Sequence, residues 1–382
     1  MHAFSQIESA NRNSFNPNKK EKINHLIHFQ KNLGQFQQNN LRNKFIIMNF
    51  LSNNKCSIFS EKFELLNYIN SGSSGIVFKG FDKKNPSYHL SFKFLIHNVR
   101  KNKKNKIKKQ TLKEIIIHNK LKSQNIINYY NYVYLKDIGC IVMEYAELGD
   151  LEHFQKFMKP KRYFSESFLA FITFQILKGL FYLNKSKIIH MDIKPQNLLI
   201  DKNLNIKITD FSAAFSFANY KKNQKILLPF SGTSLYMSPE ILSNDYIDYN
   251  ECNKIDLYSL GVVLYFLAFD KFPYALDHSF NLNFALILKK IKSNKLSFPE
   301  TKIYSSLFLK FINKLLEKDI KNRFNIYEAL NDPWIKGAEL LFKEKEKIDD
   351  TEIFLINIIT DNFRCFNEYI YKFFLNFLLK II

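Results

Sequence analysis

Four polar side chains between residues 188 and 211 are of types that could move a phosphoryl group. Residues 188–200 read Ile-Ile-His-Met-Asp-Ile-Lys-Pro-Gln-Asn-Leu-Leu-Ile, and Thr209-Asp210-Phe211 follows shortly after. Asp192 can accept the proton of an attacking hydroxyl, and Lys194 can meet a phosphate. Asn197 and Asp210 offer the oxygen donors that a hard cation such as Mg2+ prefers. On its own the set is weak, because a strand-turn-strand with polar turn residues carries the same letters. Its weight depends on whether the rest of the chain supplies elements able to position it.

Those elements stand in order. Residues 63–69 read as a strand feeding Asn70-Ser71-Gly72-Ser73-Ser74-Gly75-Ile76-Val77, where Gly72 and Gly75 let the backbone lie close to a ligand. In Leu90-Ser91-Phe92-Lys93-Phe94 the two phenylalanines alternate with Lys93, so Lys93 shares a strand face with Ser91. A helical stretch around 111–121 carries Glu114 and His118. Residues 141–146, Ile-Val-Met-Glu-Tyr-Ala, read as a buried strand running into a linker. Ser165 caps a long helix with Leu169, Ile172, Ile176, Leu180 and Leu183 at helical spacing. The hairpin 198–209 turns over Asp201-Lys202-Asn203 and delivers Asp210. Gly232-Thr233, Ser238-Pro239-Glu240, Asp256 at the head of Asp-Leu-Tyr-Ser-Leu-Gly, Arg323 and Asp332-Pro333-Trp334 complete the series.

Over residues 63–335 this series resembles the eukaryotic protein kinases of the Ser/Thr type, and is loosely similar to the calmodulin-dependent kinases and their upstream kinases. The resemblance implies an α+β, two-lobed fold: a small antiparallel β lobe with one helix and a larger, mainly helical lobe. It implies transfer of the γ-phosphate of ATP to Ser/Thr hydroxyls of protein substrates, with Mg2+ held by Asn197 and Asp210. Asp192 would orient the hydroxyl, Lys194 and Lys93 would bear on phosphate oxygens, Glu114 would position Lys93, and Thr233 would bond Asp192 and Lys194. The nucleotide would lie against Ile69, Gly72, Gly75, Val77, Ser91, Met143, Leu199 and the backbone at Glu144 and Ala146, with Asp150 at the ribose. Arg323 would pair with Glu240, and Asp256 would anchor the catalytic loop.

Several positions depart from the family pattern. Asn70 replaces the first loop glycine and is expected to tolerate positive φ there. Ser91 replaces Ala, His118 takes a packed apolar position, Gln196 replaces an acidic residue, and Ser212 replaces Gly. Met191 replaces the Arg that grips an activation-loop phosphate, so activity should depend little on phosphate at Ser216, Ser231 or Thr233. Asn70, Met191 and Ser212 are what an alternative would rest on, a pseudokinase scaffold that binds nucleotide without turnover.

Composition bounds the remainder. With 382 residues and 46% hydrophobic content the chain can bury a sizeable core. The net charge of +21 accompanies a general richness in Lys, Asn, Ile, Phe and Tyr and comes with no recognition motif, so no nucleic acid is expected as a partner. Cys56, Cys140, Cys252 and Cys365 lie far apart, without metal or redox spacing, which suits an intracellular compartment, cytoplasm or nucleus. No run of about 20 apolar residues is expected to span a membrane. Residues 1–62 are Asn/Gln/Lys-rich and expected to be a mostly disordered tail. The basic run 100–109 could dock an acidic or phosphorylated partner. In the C-terminal extension, 336–382, Phe366, Tyr369, Ile370, Phe373, Phe374, Phe377, Leu378 and Ile381 recur at helical spacing. That amphipathic helix is expected to dock on the chain's own large lobe rather than on calmodulin or a membrane surface.

Overall fold

The computed structural model describes residues 57–72, 75–95, 109–135, 138–158, 164–280, 283–300 and 303–339. The expectations for the stretch before residue 57, for most of the basic run 100–109, and for the C-terminal helix of 353–382 lie outside the described residues. The chain forms two compact units, one reaching Tyr88 and one starting at His89.

In the first unit, helix α1 (Ser57–Lys62) leads into strands β1 (Phe63–Gly72) and β2 (Gly75–Asp82), which pair antiparallel. Helix α1 falls inside the stretch that composition assigned to the tail. Its reason is Phe59, 1% exposed, whose ring meets Phe63 at 5.3 Å. Strand β2 alternates, with Ile76 and Phe78 buried and Val77 and Lys79 half-buried, the pattern of a strand with one covered face.

Strand β3 (Asn85–Leu95) runs from the first unit into the second. There it pairs antiparallel with β5 (Ile138–Glu144), which also pairs with β4 (Tyr129–Leu135). Helix α2 (Lys109–Asn119) lies between β3 and β4 in sequence. Beyond Glu144 helices dominate. Helix α3 (Leu151–Met158) precedes α4 (Glu166–Lys185), capped as expected by Ser165, whose hydroxyl accepts from Phe168 N. The five apolar residues at helical spacing are buried, as are Phe168, Phe171 and Phe174, so α4 is covered nearly all round.

Short strands β6 (Ile188–Ile189), β7 (Leu198–Ile200) and β8 (Ile206–Ile208) frame the polar loop, and β7 and β8 form the expected hairpin. Strands β9 (Phe215–Ser216) and β10 (Lys225–Leu227), helix α5 (Pro239–Ser243) and strand β11 (Tyr246–Asp248) follow. Helix α6 (Lys254–Phe269) is buried at every residue. Helices α7 (Phe284–Ser293), α8 (Ser306–Leu315) and α9 (Ile326–Asn331) complete the unit, the last opened by a capping box between Asn325 and Glu328.

Helix α4 and the stretch Tyr249–Phe269 are long and apolar enough to cross a membrane by length and composition alone. Both are mostly buried within the protein, 72% and 94% respectively, so here that apolar length serves a core.

Candidate active site

Lys93 is 4% exposed and opposes Ile141, while Ser91 opposes Met143, so both side chains leave the same face of β3. Helix α2 brings Glu114 to it, with Nζ 2.6 Å from Glu114 Oε1, and the turn after β8 brings Asp210, with Oδ1 3.0 Å away. Burial alone would lower the Lys93 pKa, but the carboxylates of Asp210 and Glu114 outweigh it and the net shift is upward. Glu114 is pushed up, by burial first, with Lys93 pulling the other way. At 2.6 Å the charge-assisted bond keeps the pair ionised.

The polar loop between β6 and β7 hangs on Asp256 in the first turn of α6. Asp256 Oδ2 accepts from His190 N at 2.7 Å and Oδ1 from Met191 N at 2.8 Å. These bonds hold Met191 at φ 66°, a left-handed conformation that costs an L-residue roughly 1–2 kcal/mol. Asp192 is thereby turned toward three donors. Thr233 Oγ1 donates to its Oδ1 at 2.7 Å, Asn197 Nδ2 donates to its Oδ2 at 2.9 Å, and Lys194 Nζ lies 2.8 Å from Oδ2. Lys194 also donates to Thr233 Oγ1 at 2.7 Å. Asn197 Nδ2 further donates to the Asp192 carbonyl at 2.8 Å, which commits the amide nitrogen and aims the amide oxygen elsewhere. The bond from Thr209 N to Asn197 O, 3.0 Å, ties the residue before Asp210 to this loop.

The family model described as protein kinase domain matches residues 63–335. The chain belongs to the protein kinase family. Aurora kinase of Encephalitozoon cuniculi is 35% identical over 228 residues, covering 59% of this chain and 78% of that protein. Serine/threonine-protein kinase 36 of Mus musculus is 32% identical over 284 residues, 74% of this chain and 20% of that protein. Serine/threonine-protein kinase pakH of Dictyostelium discoideum is 30% identical over 277 residues, 72% of this chain and 50% of that protein. The match thus covers most of the first relative and half or less of the other two. Two of these relatives carry the name serine/threonine-protein kinase, and the α+β two-lobed kinase fold goes with the family match. They span several groups, and subgroup does not follow.

On the nucleotide side of the kinase, Met143 and Ala146 join one apolar cluster with Ile141, Leu95 and Ile127, and Leu199 packs against it. Asp150 bridges to Leu199 across the chain. Its carboxylate is held by His153, whose N donates to Oδ1 at 2.8 Å and whose Nδ1 lies 2.9 Å from Oδ2. That hydrogen bond is the main reason the His153 pKa is raised.

Sequence reasoning missed what fixes Glu144. Its Oε2 accepts from Asn128 N and Nδ2 at 3.0 and 2.9 Å, and its Oε1 lies 2.9 Å from Lys207 Nζ. In Ile206-Lys207-Ile208 the lysine reads as an outward charge, yet it is 6% exposed. The only available signal was charge complementarity across distant positions. Ile69, Gly72, Gly75 and Val77 belong to the β1–β2 hairpin, with Gly72 opposite Gly75 and Ile69 37% exposed; the turn residues Ser73 and Ser74 lie outside the described residues. Asn70, expected to tolerate positive φ, does not adopt it. It stays in strand pairing with Val77, and its Oδ1 accepts from Ser71 N at 2.8 Å.

Phe211 is 1% exposed between two imidazoles, His118 at 4.9 Å and His190 at 5.1 Å between centroids. His118 Nε2 lies 2.8 Å from the Ile127 carbonyl, which can only accept, so Nε2 carries the hydrogen. Burial pushes its pKa down to about 4, against the raising effect of that bond and with Lys93 nearby adding to the fall. In the unfolded chain the group titrates near 6.5. The unfolded state therefore binds the extra proton first, and the native state loses stability as pH falls from about 6.5 toward 4, by on the order of 3 kcal/mol in all. Thermal melts of wild type and His118→Leu between pH 7.5 and 4.5 should diverge, with the shallower decline in the variant. Parallel curves would remove His118 from the account.

Gly232 sits at φ 107° where a Cβ would press into the Met191 carbonyl oxygen, a backbone atom that cannot swing aside. Gly232→Ala should therefore push Thr233 away from Asp192 and Lys194. Displacements of about 1 Å at such a site cost on the order of 100-fold in rate. Steady-state kinetics with a Ser/Thr peptide would test this, and an alanine variant within threefold of wild type would contradict it.

Proposed function

We propose that this serine/threonine kinase turns over with Asp192 as the group that accepts the substrate hydroxyl, the assignment carried by the three donors converging on its carboxylate. As the hydroxyl oxygen forms its bond to the γ-phosphorus and the bond to the departing ADP oxygen breaks, the hydroxyl proton passes toward the Asp192 carboxylate. Lys194 lies beside that carboxylate and offers its ammonium to the transferring phosphate, while Thr233 fixes the orientation of both. Lys93, held charged by Glu114 and Asp210, supplies a second cation for the phosphates.

Among the described residues no cluster of three or more His, Cys, Asp and Glu is placed to hold a metal. The Asn197 amide oxygen and the Asp210 carboxylate fit a different need. Mg2+ takes few protein oxygens when phosphates supply the rest, and the Asn197 amide nitrogen is already committed to Asp192. When bound, Mg2+ supplies charge neutralisation at the phosphates. Met143, Ala146 and Leu199 suit the apolar walls of an adenine site and Asp150 a ribose contact. Gln196 in place of an acidic residue, and Asp150 engaged by His153, favour peptides without a strong requirement for Arg.

Incubation with Mg2+ and γ-labelled ATP on a positional peptide library, followed by phosphoamino-acid analysis, tests the reading. Label on Ser and Thr, with weak selection for Arg, is expected. Nucleotide binding without label transfer to any peptide would overturn it in favour of a scaffold without turnover.

A further inference from the structure

The segment from Asp210 to Glu240 must be held still for Gly232 and Thr233 to meet the catalytic loop. Met191, 5% exposed and part of the apolar core, brings no cation to grip a phosphate there. The segment is instead fastened by backbone and apolar contacts at two places. At its start β9 pairs with β6, Ile188 opposite Ser216 and Ile189 opposite Phe215, and Phe217 N donates to Lys187 O at 2.9 Å. In its middle β10 pairs antiparallel with β11, with Lys225 opposite Asp248, Ile226 opposite Ile247, and Leu227 opposite Tyr246. The pleat turns Ile226 and Ile247 inward, 0% and 2% exposed, and leaves their neighbours in both strands exposed. Leu228 continues the buried side at 4% exposure. Tyr249 N donates to Gln224 O at 3.1 Å, and the Tyr249 ring stands edge-on to Phe217 at 5.2 Å, which joins the two fastenings.

We propose that Ile226 and Ile247 form an apolar clasp that positions Gly232 and Thr233 for catalysis without any phosphate on the segment. The inference rests on the kinase reading, and Ile226 and Ile247 are positioning residues that touch neither substrate nor nucleotide. The pair has the properties such a clasp needs: directly opposed in register, desolvated, and connected to Thr233 through only the five residues of chain that separate it from Leu227. A phosphate-free hold of this kind loses nothing when phosphate is removed and fails when the buried contact is broken.

The test uses the full chain. Phosphatase treatment, with mass spectrometry showing residues 213–234 unmodified, should leave kcat and both KM values within twofold. Ile226→Asp should lower kcat/KM for peptide by at least tenfold, with KM for peptide raised at least threefold and KM for ATP within twofold, whereas a merely destabilised enzyme would lose active fraction with both KM values unchanged. Ile226→Val should restore the wild-type values. Because a buried aspartate can prevent folding, the second arm is the pair Ile226→Cys with Ile247→Cys, whose opposed strand positions suit a disulfide. Reduced, the pair should show weaker peptide turnover and faster tryptic cleavage at Lys221, Lys222 and Lys225; oxidised, it should recover both. The proteolysis readout needs no turnover, so a wild type that transfers no phosphate would defeat the kinase reading while the clasp was still judged. Silencing by phosphatase, or identical proteolysis and kinetics in the oxidised and reduced pair, would overturn the clasp.

Discussion

Asp192→Asn should lose 100- to 10,000-fold in kcat, the range expected when a positioned general base is removed. The amide keeps the size of the carboxylate but offers a single oxygen to the donors of Thr233, Lys194 and Asn197 and turns its own NH2 toward one of them, so the fold survives with a modestly lowered melting temperature. What disappears is the proton acceptor and the negative charge that Lys194 meets at 2.8 Å. Lys93→Met and Asp210→Asn should show losses of similar size. The double variants should lose far less than the product of the single losses, since the groups act as one unit on one transition state. Rates measured with γ-labelled ATP on preparations purified in parallel would decide this. Equal activity in wild type and Asp192→Asn would mean that the signal came from a contaminant.

Arg323→Met should produce the largest loss of stability. Arg323 is 1% exposed and fully engaged: Nη2 lies 2.7 Å from Glu240 Oε1, Nη1 donates to Lys254 O at 3.1 Å, and Nε donates to Glu317 O at 2.9 Å. The guanidinium also stacks over Tyr258, 4.9 Å from the ring centre. Removing it leaves the Glu240 carboxylate, on a residue 8% exposed, without its cation. Breaking one side of a buried pair costs about 3–5 kcal/mol, which in a domain of this size lowers the melting temperature by on the order of 10 °C. Replacing both partners, Glu240→Leu with Arg323→Met, should recover much of that, because no charge is left buried. Differential scanning calorimetry of the three variants would show the pattern. An Arg323→Met melt within 1 °C of wild type would contradict it.

These two effects separate what was legible in the sequence from what was not. The short-range pattern around Asp192, Lys194, Asn197 and Asp210, the alternation that puts Lys93 and Ser91 on one face, and the Ser165 cap with its apolar helix could all be read directly. Each is set by chemistry within a few residues or by a strand or helix repeat. The order of the longer series was legible as well, because each segment carries its own local signature, and the family match over 63–335 agrees with it.

Tertiary structure alone decided the rest. Asn70 has a side chain that could support positive φ, but strand pairing with Val77 holds it extended. Lys207 looks like a surface charge until folding brings the carboxylates of Glu144 and Asp201 to it. Ile226, at the head of a short apolar run, and Ile247, between Tyr246 and Asp248, look like ordinary apolar residues, and nothing local says that they oppose each other. Pairings of this kind join positions whose separation in the chain carries no repeat. Their energy appears only once water has been removed from both partners at once, which is a property of the folded core and not of any stretch of sequence.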